Sequence, residues 1–524
     1  MEARFQGCTL SLLSSHRAAV GVHPVLDAAS MPGRGGDAVV RGRIDELVFA
    51  HLAKAGVAPA GLSSDEVFLR RAYLDTIGTL PTAQEAAACL AGADPGRRAS
   101  LIDRLLQRGE FSVYWAMKWS DLLRIKAEFP IDLWPTAAQE YYGWLRESLE
   151  KNKPYDQFAR ELLTSSGSNF RVGPVNFFRA VQNREPQSLA QAVALTFMGV
   201  RTEKWPAARR ADMAVFFSQV GYKPTGEWKE EIVFFDRGKP LPTADAVFPD
   251  GTKTRLQAGR DPRLDLADWL IAPRNPYFAR NIVNRVWAWL YGRGIIDEPD
   301  DIRPDNPPLY PDLLAFLEAE LISASYDLKH IYRLILNSST YQLSSIPRSS
   351  KPEAAKNFAS YPVRRLDAEV LVDALNQITG TSEQYSSAVP EPYTIMPSGE
   401  RAIALPDGSI TSPFLELFGR SPRDTGMESE RNNRPTALQR LHLLNSSQIE
   451  RRIEQGPALQ EILRKPDPRA MLTGLYLTVL SRYPTEEEMR IAAAYQQSSG
   501  LDRRNAAIDV AWALINSTEF LYRH

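Results

Sequence analysis

The sequence NPYFARNIVNRVWAWLYGR, residues 275–293, decides the fold class of this chain. Its apolar side chains recur at the spacing of an α-helix and form one stripe: Phe278, Ile282, Val286, Trp289 and Leu290. Polar side chains lie on the same segment at helical spacing: Arg280, Asn281, Asn284 and Arg285. We therefore predict a packed helix whose polar side chains bond neighbouring loops. The acidic, proline-broken sequence GIIDEPDDIRPDNPP follows at once and predicts a loop at the end of this helix.

Helical patterns of the same kind occupy most of the chain on both sides of this segment. RGRIDELVFAHLAKAG carries one apolar stripe and ends at Gly56, which is typical of a helix C-terminus. The segments EEIVFFD and GKPLPTADAVFPDGTKTRL instead predict a strand or a small hairpin. The predicted fold class is mostly α: a multi-helical chain with two packed modules and a small β-hairpin or connector element.

The length of 524 residues is sufficient for two or three domains. We predict a poorly ordered N-terminal extension over residues 1–40 and a first helical module over residues 41–240. A connector is predicted over residues 241–258, where proline and glycine interrupt the helical patterns. The second helical module is then expected over residues 259–524.

The charges of the chain are balanced, with 62 Lys and Arg residues against 63 Asp and Glu residues. Because no net positive charge favours a phosphate backbone, we expect no nucleic-acid partner. No apolar run approaches the roughly 20 residues of a transmembrane helix. The first 40 residues hold no convincing signal-peptide core, so the residues themselves leave the compartment open.

Cysteine and histidine patterns argue against familiar cofactor sites. Cys8 and Cys89 are far apart, and the sequence has no C-x-x-C-H motif, which covalent c-type haem attachment requires. The six histidines are scattered singly, without the H-E-x-x-H spacing of a zinc hydrolase. We therefore predict no cofactor and no c-type haem, and a divalent metal is the one candidate left open.

The acidic loop after residue 293 is the candidate site for that metal. Asp300, Asp301 and Asp305 supply carboxylate oxygens, the ligands that Ca²⁺ and Mg²⁺ prefer. In the structural alternative, these carboxylates bond loop amides or pair with Arg293 and Arg303. Both interpretations are consistent with the sequence.

A second polar cluster lies in FGRSPRDTGMESERNNRPTALQ, residues 418–439. Its candidate catalytic residues are acids or bases and stabilising cations: Asp424, Glu428, Glu430, Arg423 and Arg434. The structural alternative is an ion-pair network that locks this segment against the helix predicted within residues 364–379. Convergence of the carboxylates in a cleft with Asp300 or Asp301 would favour catalysis.

Long stretches of the sequence resemble two known families. The first half carries DEVFLRRAYLDTIGTLPTAQEAAACL and NKPYDQFARELL, and the second half carries RRLDAEVLVDAL and INSTEFLYRH beside the stretch quoted first. These pieces are similar to domain of unknown function 1549 followed by domain of unknown function 1553, the pair found in planctomycete cytochrome-associated proteins. The resemblance implies two modules and an extracytoplasmic setting. Many such proteins carry C-x-x-C-H just after the position of Arg201, so this chain resembles a variant without the haem motif.

The sequence leaves open whether the chain is an enzyme. The favoured hypothesis is a non-catalytic binding or assembly component of an extracytoplasmic polymer-handling system, with a protein or polysaccharide as its partner. Trp205 and Trp228, in polar surroundings, are predicted to be the exposed aromatic residues that such a partner would contact. One alternative is a hydrolase or lyase that uses the Asp, Glu and Arg residues around 420–434. A second alternative is a haem-free relative of a redox protein.

Overall fold

The computed structural model describes residues 36–92 and 94–524. Most of the predicted N-terminal extension, residues 1–35, lies outside the described residues. The described chain is mostly α-helical and contains small sheets of two or three strands, which confirms the predicted fold class. No helix in the described ranges combines the length and the apolar character needed to cross a bilayer.

Helices α1 to α9 belong to the first half of the chain. They span, in order, Arg43–Lys54, Asp65–Thr76, Ala83–Ala91, Arg97–Gln107, Gly109–Leu122, Pro135–Glu150, Tyr155–Thr164, Pro186–Val193 and Ala207–Val215. Local sequence signals start these helices. Ser64 accepts a hydrogen bond from the Val67 amide at the start of α2, and Thr82 and Glu85 form a reciprocal capping box at the start of α3.

Short strands lie between the helices. Strands β1 to β7 span, in order, Gly167–Ser168, Val220–Pro224, Glu231–Phe235, Asp245–Val247, Lys253–Arg255, Arg364–Arg365 and Tyr522–Arg523. The first three form an antiparallel sheet in the order β1-β3-β2, with Gly167 opposite Val233. Strands β4 and β5 form a hairpin, with Ala246 opposite Thr254, within the stretch predicted as the connector.

Helices α10 to α24 belong to the second half. They span, in order, Pro262–Leu270, Phe278–Tyr291, Pro311–Ser323, Leu328–Asn337, Ser339–Gln342, Pro352–Lys356, Ala368–Thr379, Pro413–Leu417, Ala437–Asn445, Ser447–Gln455, Pro457–Leu463, Pro468–Leu480, Glu486–Ser498, Arg503–Ile515 and Thr518–Leu521. Single turns of 3₁₀ helix also occur, and the one at Glu428–Glu430 lies in the polar cluster of residues 418–439.

Helix α11 is the helix predicted from residues 275–293, and nearly all its side chains are buried. Asn281 donates to the Thr196 carbonyl at 2.8 Å. Asn284 donates to the Ile296 carbonyl at 3.0 Å and accepts from the Ile296 amide at 2.8 Å. These bonds satisfy polar groups that would otherwise be costly to bury. Of the four polar residues predicted to bond loops, Asn284 and Arg285 bond the loop after α11, whereas Asn281 and Arg280 bond neighbouring helical segments.

One apolar core continues through both halves of the described chain. Trp115 and Trp119 of α5 pack against Trp289 of α11, with ring centroids 5.4 and 5.7 Å apart. Tyr155 of α7 stacks on Phe278 of α11 at 4.5 Å. Because buried aromatic rings contribute strongly to core stability, these contacts join the two halves into one packed unit.

Strand β7 ties the second half back to the first. It pairs with β6 in antiparallel register, with Arg365 opposite Tyr522. Arg71 of α2 donates to the His524 carbonyl at 2.9 Å and to the Tyr341 carbonyl at 2.7 Å. These contacts place β6, β7 and the start of α16 beside the first-half helices.

Candidate functional site

A cavity of about 750 Å³ lies where the two halves of the chain meet. We call it the junction cavity. Its lining comes from α5, the end of α11, the acidic loop, the β6 region, the polar cluster and β7: Lys118, Ala288, Trp289, Gly292, Arg293, Asp297, Glu298, Pro299, Asp300, Val363, Arg364, Arg365, Asp367, Glu428, Ser429, Arg431, Asn432, Asn433, Arg434, Pro435, Tyr522 and Arg523. The volume is within the range that protein ligand sites usually occupy.

The end of α11 shapes one side of the junction cavity. Gly292 ends the helix with a left-handed φ of +74°. A β-carbon at this position would lie 2.3 Å from Cδ of Arg364, so the close approach of β6 requires glycine. Arg364 then donates to the Trp289 carbonyl at 3.0 Å. This contact holds β6 and the following helix beside the cavity.

Glu428 is the predicted acid that lies on the cavity wall. Trp289 Nε1 donates to Glu428 Oε2 at 3.0 Å, and the Glu428 amide donates to Asp300 Oδ2 at 2.6 Å. The Glu428 side chain is 37% exposed, and its exposed part faces the cavity. Partial burial raises the pKa of Glu428, although Lys118 and Arg285 oppose part of the rise. The carboxyl therefore favours its protonated form more than an ordinary Glu does.

Lys118 lies on the same wall, and its pKa is shifted in the opposite direction. Its Nζ is 3.1 Å from Asp367 Oδ2, and the side chain is nearly buried. Burial lowers the pKa of Lys118, while the negative charges of Asp367 and Glu428 oppose the fall. A lysine with a lowered pKa can accept a proton closer to neutral pH than an exposed lysine can.

Asp367 provides the fixed negative charge between these groups. Burial alone would raise its pKa, but Lys118, Arg523 and Arg431 lower the pKa of Asp367 well below the ordinary value. Arg523 Nη2 is 3.0 Å from Asp367 Oδ2, and Asn433 Nδ2 donates to Asp367 Oδ1 at 2.7 Å. The junction cavity thus holds one carboxyl that favours protonation and one that stays ionised, an arrangement typical of acid–base sites.

The predicted ion-pair network is also present, and it is centred on Arg431 of the polar cluster. Arg431 lies 2.6 Å from Glu369 Oε2 and 2.7 Å from Asp121 Oδ2. Arg423 Nε lies 3.1 Å from Asp121 Oδ1, so this candidate is a buried structural cation. The network binds residues 418–439 both to α16 and to α5.

Two further catalytic candidates are engaged away from the junction cavity. Asp424 Oδ1 accepts from Lys126 Nζ at 2.6 Å. Glu430 accepts from the amides of residues 425 and 426 at 2.9 and 3.2 Å. Arg434, in contrast, is exposed on the cavity rim. Of the predicted catalytic candidates, the structure therefore brings Glu428 and Arg434 together and separates the others from them.

Cations hold the three residues predicted as metal ligands. Arg285 Nη2 is 2.7 Å from Asp300 Oδ1, and Arg303 lies 3.0 Å from Asp301 and 2.9 Å from Asp305. Within residues 36–92 and 94–524, no group of three or more His, Cys, Asp and Glu residues is placed to hold a metal ion. The geometry of the acidic loop agrees with the structural alternative.

A smaller cavity of about 350 Å³ lies beside α8 and α9. Among the described residues that line it, Glu203 is the one carboxylate, and it accepts a hydrogen bond from Gln191. Trp205 also lines it, but the predicted exposure of this ring is wrong. Arg209 stacks over the ring, with Cζ 3.9 Å from the centroid, and leaves Trp205 9% exposed. Trp228 is 70% exposed, as predicted.

Sequence reasoning missed Lys118 as a site residue and treated Asp367 as part of a structural network. One signal for Lys118 was available, because it shares a helix face with Tyr114, Trp115 and Leu122 and so interrupts an apolar stripe. No local signal pointed to Arg523, which reaches the cavity from β7.

Comparison with protein families gives two matches. Residues 43–206 match PSCyt2, a protein of unknown function (DUF1549), and residues 262–513 match PSD1, a protein of unknown function (DUF1553). The junction cavity takes Lys118 from the first matched region and Glu428 from the second. No curated protein matches the chain, and no solved structure does.

Proposed function

We propose an enzymatic function for this chain, which belongs to the proteins that join a DUF1549 domain to a DUF1553 domain. The proposed activity is bond cleavage by acid–base catalysis in the junction cavity, as a hydrolase or a lyase. Polymeric substrates are part of the proposal. An extracytoplasmic setting is also part of it, and the match to the DUF1549 family supports this setting.

One observation carries the proposal. Glu428 and Lys118, from opposite halves of the chain, line the same cavity, and their pKa values are shifted toward the neutral forms of both groups. Enzymes use such pairs because the acid can donate a proton and the base can accept one near neutral pH. Hydrogen bonds from Trp289 and to Asp300 fix the position of Glu428.

The direction of each pKa shift suits Glu428 to the role of the acid and Lys118 to the role of the base. Glu428 would donate its proton to the oxygen of the leaving group as the bond to that oxygen breaks. Lys118 would accept a proton, either from the attacking water in hydrolysis or from the carbon beside the breaking bond in elimination. The proton then returns from Lys118 to Glu428 through cavity water, so each turnover restores both groups.

The test is turnover of a polysaccharide panel by the wild-type chain and by Glu428→Gln. New reducing ends score both reactions, and absorbance of unsaturated sugar ends scores elimination alone. We expect Glu428→Gln to lower the rate by about 100-fold or more, the usual contribution of a general acid. The matched control is Glu486→Gln, since Glu486 is exposed on α22 and lies outside the cavity lining.

Two outcomes would contradict the enzymatic proposal. One is a folded Glu428→Gln variant that keeps the wild-type rate. The other is the absence of product from every polymer with the wild-type chain. In that second case a non-catalytic binding component is favoured. The other two candidate acids, Asp424 and Glu430, are already held in structural contacts with Lys126 and with the amide of residue 425. The haem-free redox alternative has no support from the residues that line the cavity.

A further inference from the structure

Most cations on the wall of the junction cavity are paired with a carboxylate. Arg523 and Lys118 lie within 3.1 Å of Asp367. Other pairs are Arg293 with Asp297 at 3.5 Å, Arg364 with Asp75 at 3.4 Å and Arg431 with Glu369 at 2.6 Å. These pairs balance their own charge, so they leave little attraction for a ligand.

Arg365 differs from these cations because no carboxylate oxygen of the described residues lies within 4.0 Å of it. The side chain donates to the main-chain carbonyls of Phe418 at 2.5 Å, Asn432 at 3.1 Å and Asn433 at 3.2 Å. Arg365 is buried, with 5% of its surface exposed. Its Nη1 nevertheless has no hydrogen-bond partner in the described ranges. Burial lowers the pKa of Arg365, although the negative charges of Asp367 and Glu369 oppose part of the fall. An anion in the cavity would offset this cost of burial.

Arg434 is the second unpaired cation on the cavity wall. It is exposed on the rim, and the described residues place no carboxylate within 4.0 Å of its guanidinium. The main-chain amide of Arg434 donates to Asn432 Oδ1 at 3.1 Å, which orders the residue beside the cavity. Arg365 and Arg434 therefore give the cavity lining two positive charges that no carboxylate of the described residues pairs within 4.0 Å.

We infer that the ligand of the junction cavity carries an oxyanion group, and that Arg365 and Arg434 bind this group. The inference rests on the proposed function and names the substrate class of the same site. Guanidinium groups suit carboxylate, sulfate and phosphate because their N–H donors match two oxygens at once. An oxyanion group would fill only a small part of the cavity of about 750 Å³. The remaining volume can accommodate the rest of the ligand, such as a sugar ring.

A matched set of sugars separates the charge from the ring. D-Glucose is the neutral reference, and D-glucuronate, D-glucose 6-sulfate and D-glucose 6-phosphate add a carboxylate, a sulfate or a phosphate at the same carbon. Binding to the full-length chain is measured by isothermal titration and by the shift of the melting temperature. We expect saturable binding of at least one anionic sugar and much weaker binding of glucose. The best-bound anion then identifies the oxyanion of the substrate class.

Arginine variants test the residues. We expect Arg434→Gln to weaken the anionic sugar by about 10- to 100-fold, the range for loss of a charge-assisted hydrogen bond. Arg490→Gln is the matched control, since Arg490 is exposed on α22 outside the cavity lining, and it should leave the affinity unchanged. Arg365→Lys keeps the charge at the buried position and should weaken binding less than Arg365→Gln.

Glu428→Gln separates this inference from the proposed function. If the variant loses turnover but keeps the affinity for the anionic sugar, both proposals hold. If wild type and variant bind the anion but neither turns over any polymer, the binding inference holds and the enzymatic proposal fails. Equal affinity for glucose and all three anionic sugars, no binding of any of them, or an Arg434→Gln variant with wild-type affinity would overturn the inference.

Discussion

At the scale of single residues, the balance between burial and nearby cations sets the pKa values of two carboxyls on the buried helix α16. Burial opposes ionisation of Glu369, yet Arg431 and Arg420 hold the pKa of Glu369 at about 2. Asp373 lies one turn further along α16, where Arg401 is 3.4 Å away. There burial prevails and raises the pKa of Asp373 to about 6. The same two effects set the protonation of Asp367 and Glu428 in the junction cavity.

Asp373→Asn should flatten the pH dependence of folding stability. The folded-state pKa of Asp373, about 6, lies above the ordinary 3.8, so the folded chain keeps a proton that the unfolded chain loses in this interval. The contribution of Asp373 to the free energy of unfolding is therefore fully present below pH 3.8 and is lost as the pH rises through about 6. The loss is about 3 kcal/mol.

The measurement is urea unfolding between those pH values for wild type and Asp373→Asn. Asn keeps a carbonyl oxygen that can accept the Ala402 amide, which lies 2.7 Å from Asp373 Oδ1. Asp305→Asn, at an exposed position, is the control and should keep the wild-type slope. An unchanged slope in Asp373→Asn would show that the group titrates normally.

At the scale of elements, α11 and the acidic loop form one unit that positions Glu428. Arg285 of α11 and Asp300 of the loop are both nearly inaccessible and lie 2.7 Å apart. Asp300 also accepts a hydrogen bond from the Glu428 amide, so the loop connects α11 to the polar cluster. The pair therefore links a scaffold helix to the candidate acid.

Asp300→Ala should destabilise the fold by about 3 kcal/mol, because it removes the nearer anion of the buried Arg285 guanidinium and leaves only Glu428, 3.8 Å away, within ion-pair distance among the described residues. Asp305→Ala breaks an exposed pair with Arg303 in the same loop and should cost less than about 1 kcal/mol. Guanidinium unfolding of both variants measures the difference. Equal effects of the two substitutions would contradict a structural role for the Arg285–Asp300 pair.

At the scale of the whole molecule, the two matched regions share one core and one cavity. Trp115 and Trp119 from the first region contact Trp289 from the second. Arg523 of β7 reaches Asp367 and stands beside Lys118 in the cavity lining. Neither region by itself contains the proposed acid together with the proposed base.

The shared core predicts that both halves unfold together. We expect one transition in guanidinium, because loss of either half exposes the aromatic contacts of the other to water. Tryptophan fluorescence reports the interface between the halves, and far-ultraviolet circular dichroism reports the helices. Coincident curves are the expected result. Two separate transitions would mean that the halves are stable independently.

The sequence determined the helical fold class and the position of α11. The apolar stripe from Phe278 to Leu290 is a local pattern, and local spacing is enough to specify a helix and its buried face. The hairpin near residue 250 was predictable from a local pattern too, because proline and glycine interrupt the helical patterns there. The roles of Asn281 and Asn284 were predictable because polar groups on a buried helix need partners.

Only the tertiary structure decided which charged residues form the site. Asp424, Glu428 and Glu430 lie within seven residues of one another, yet only Glu428 faces the junction cavity. The reason is physical. The pKa and the partners of a carboxyl depend on groups within a few ångströms of it, and here Lys118 and Trp289 come from distant parts of the chain. The spacing of residues along the sequence does not specify those distances. The packing of α5 against α11 does.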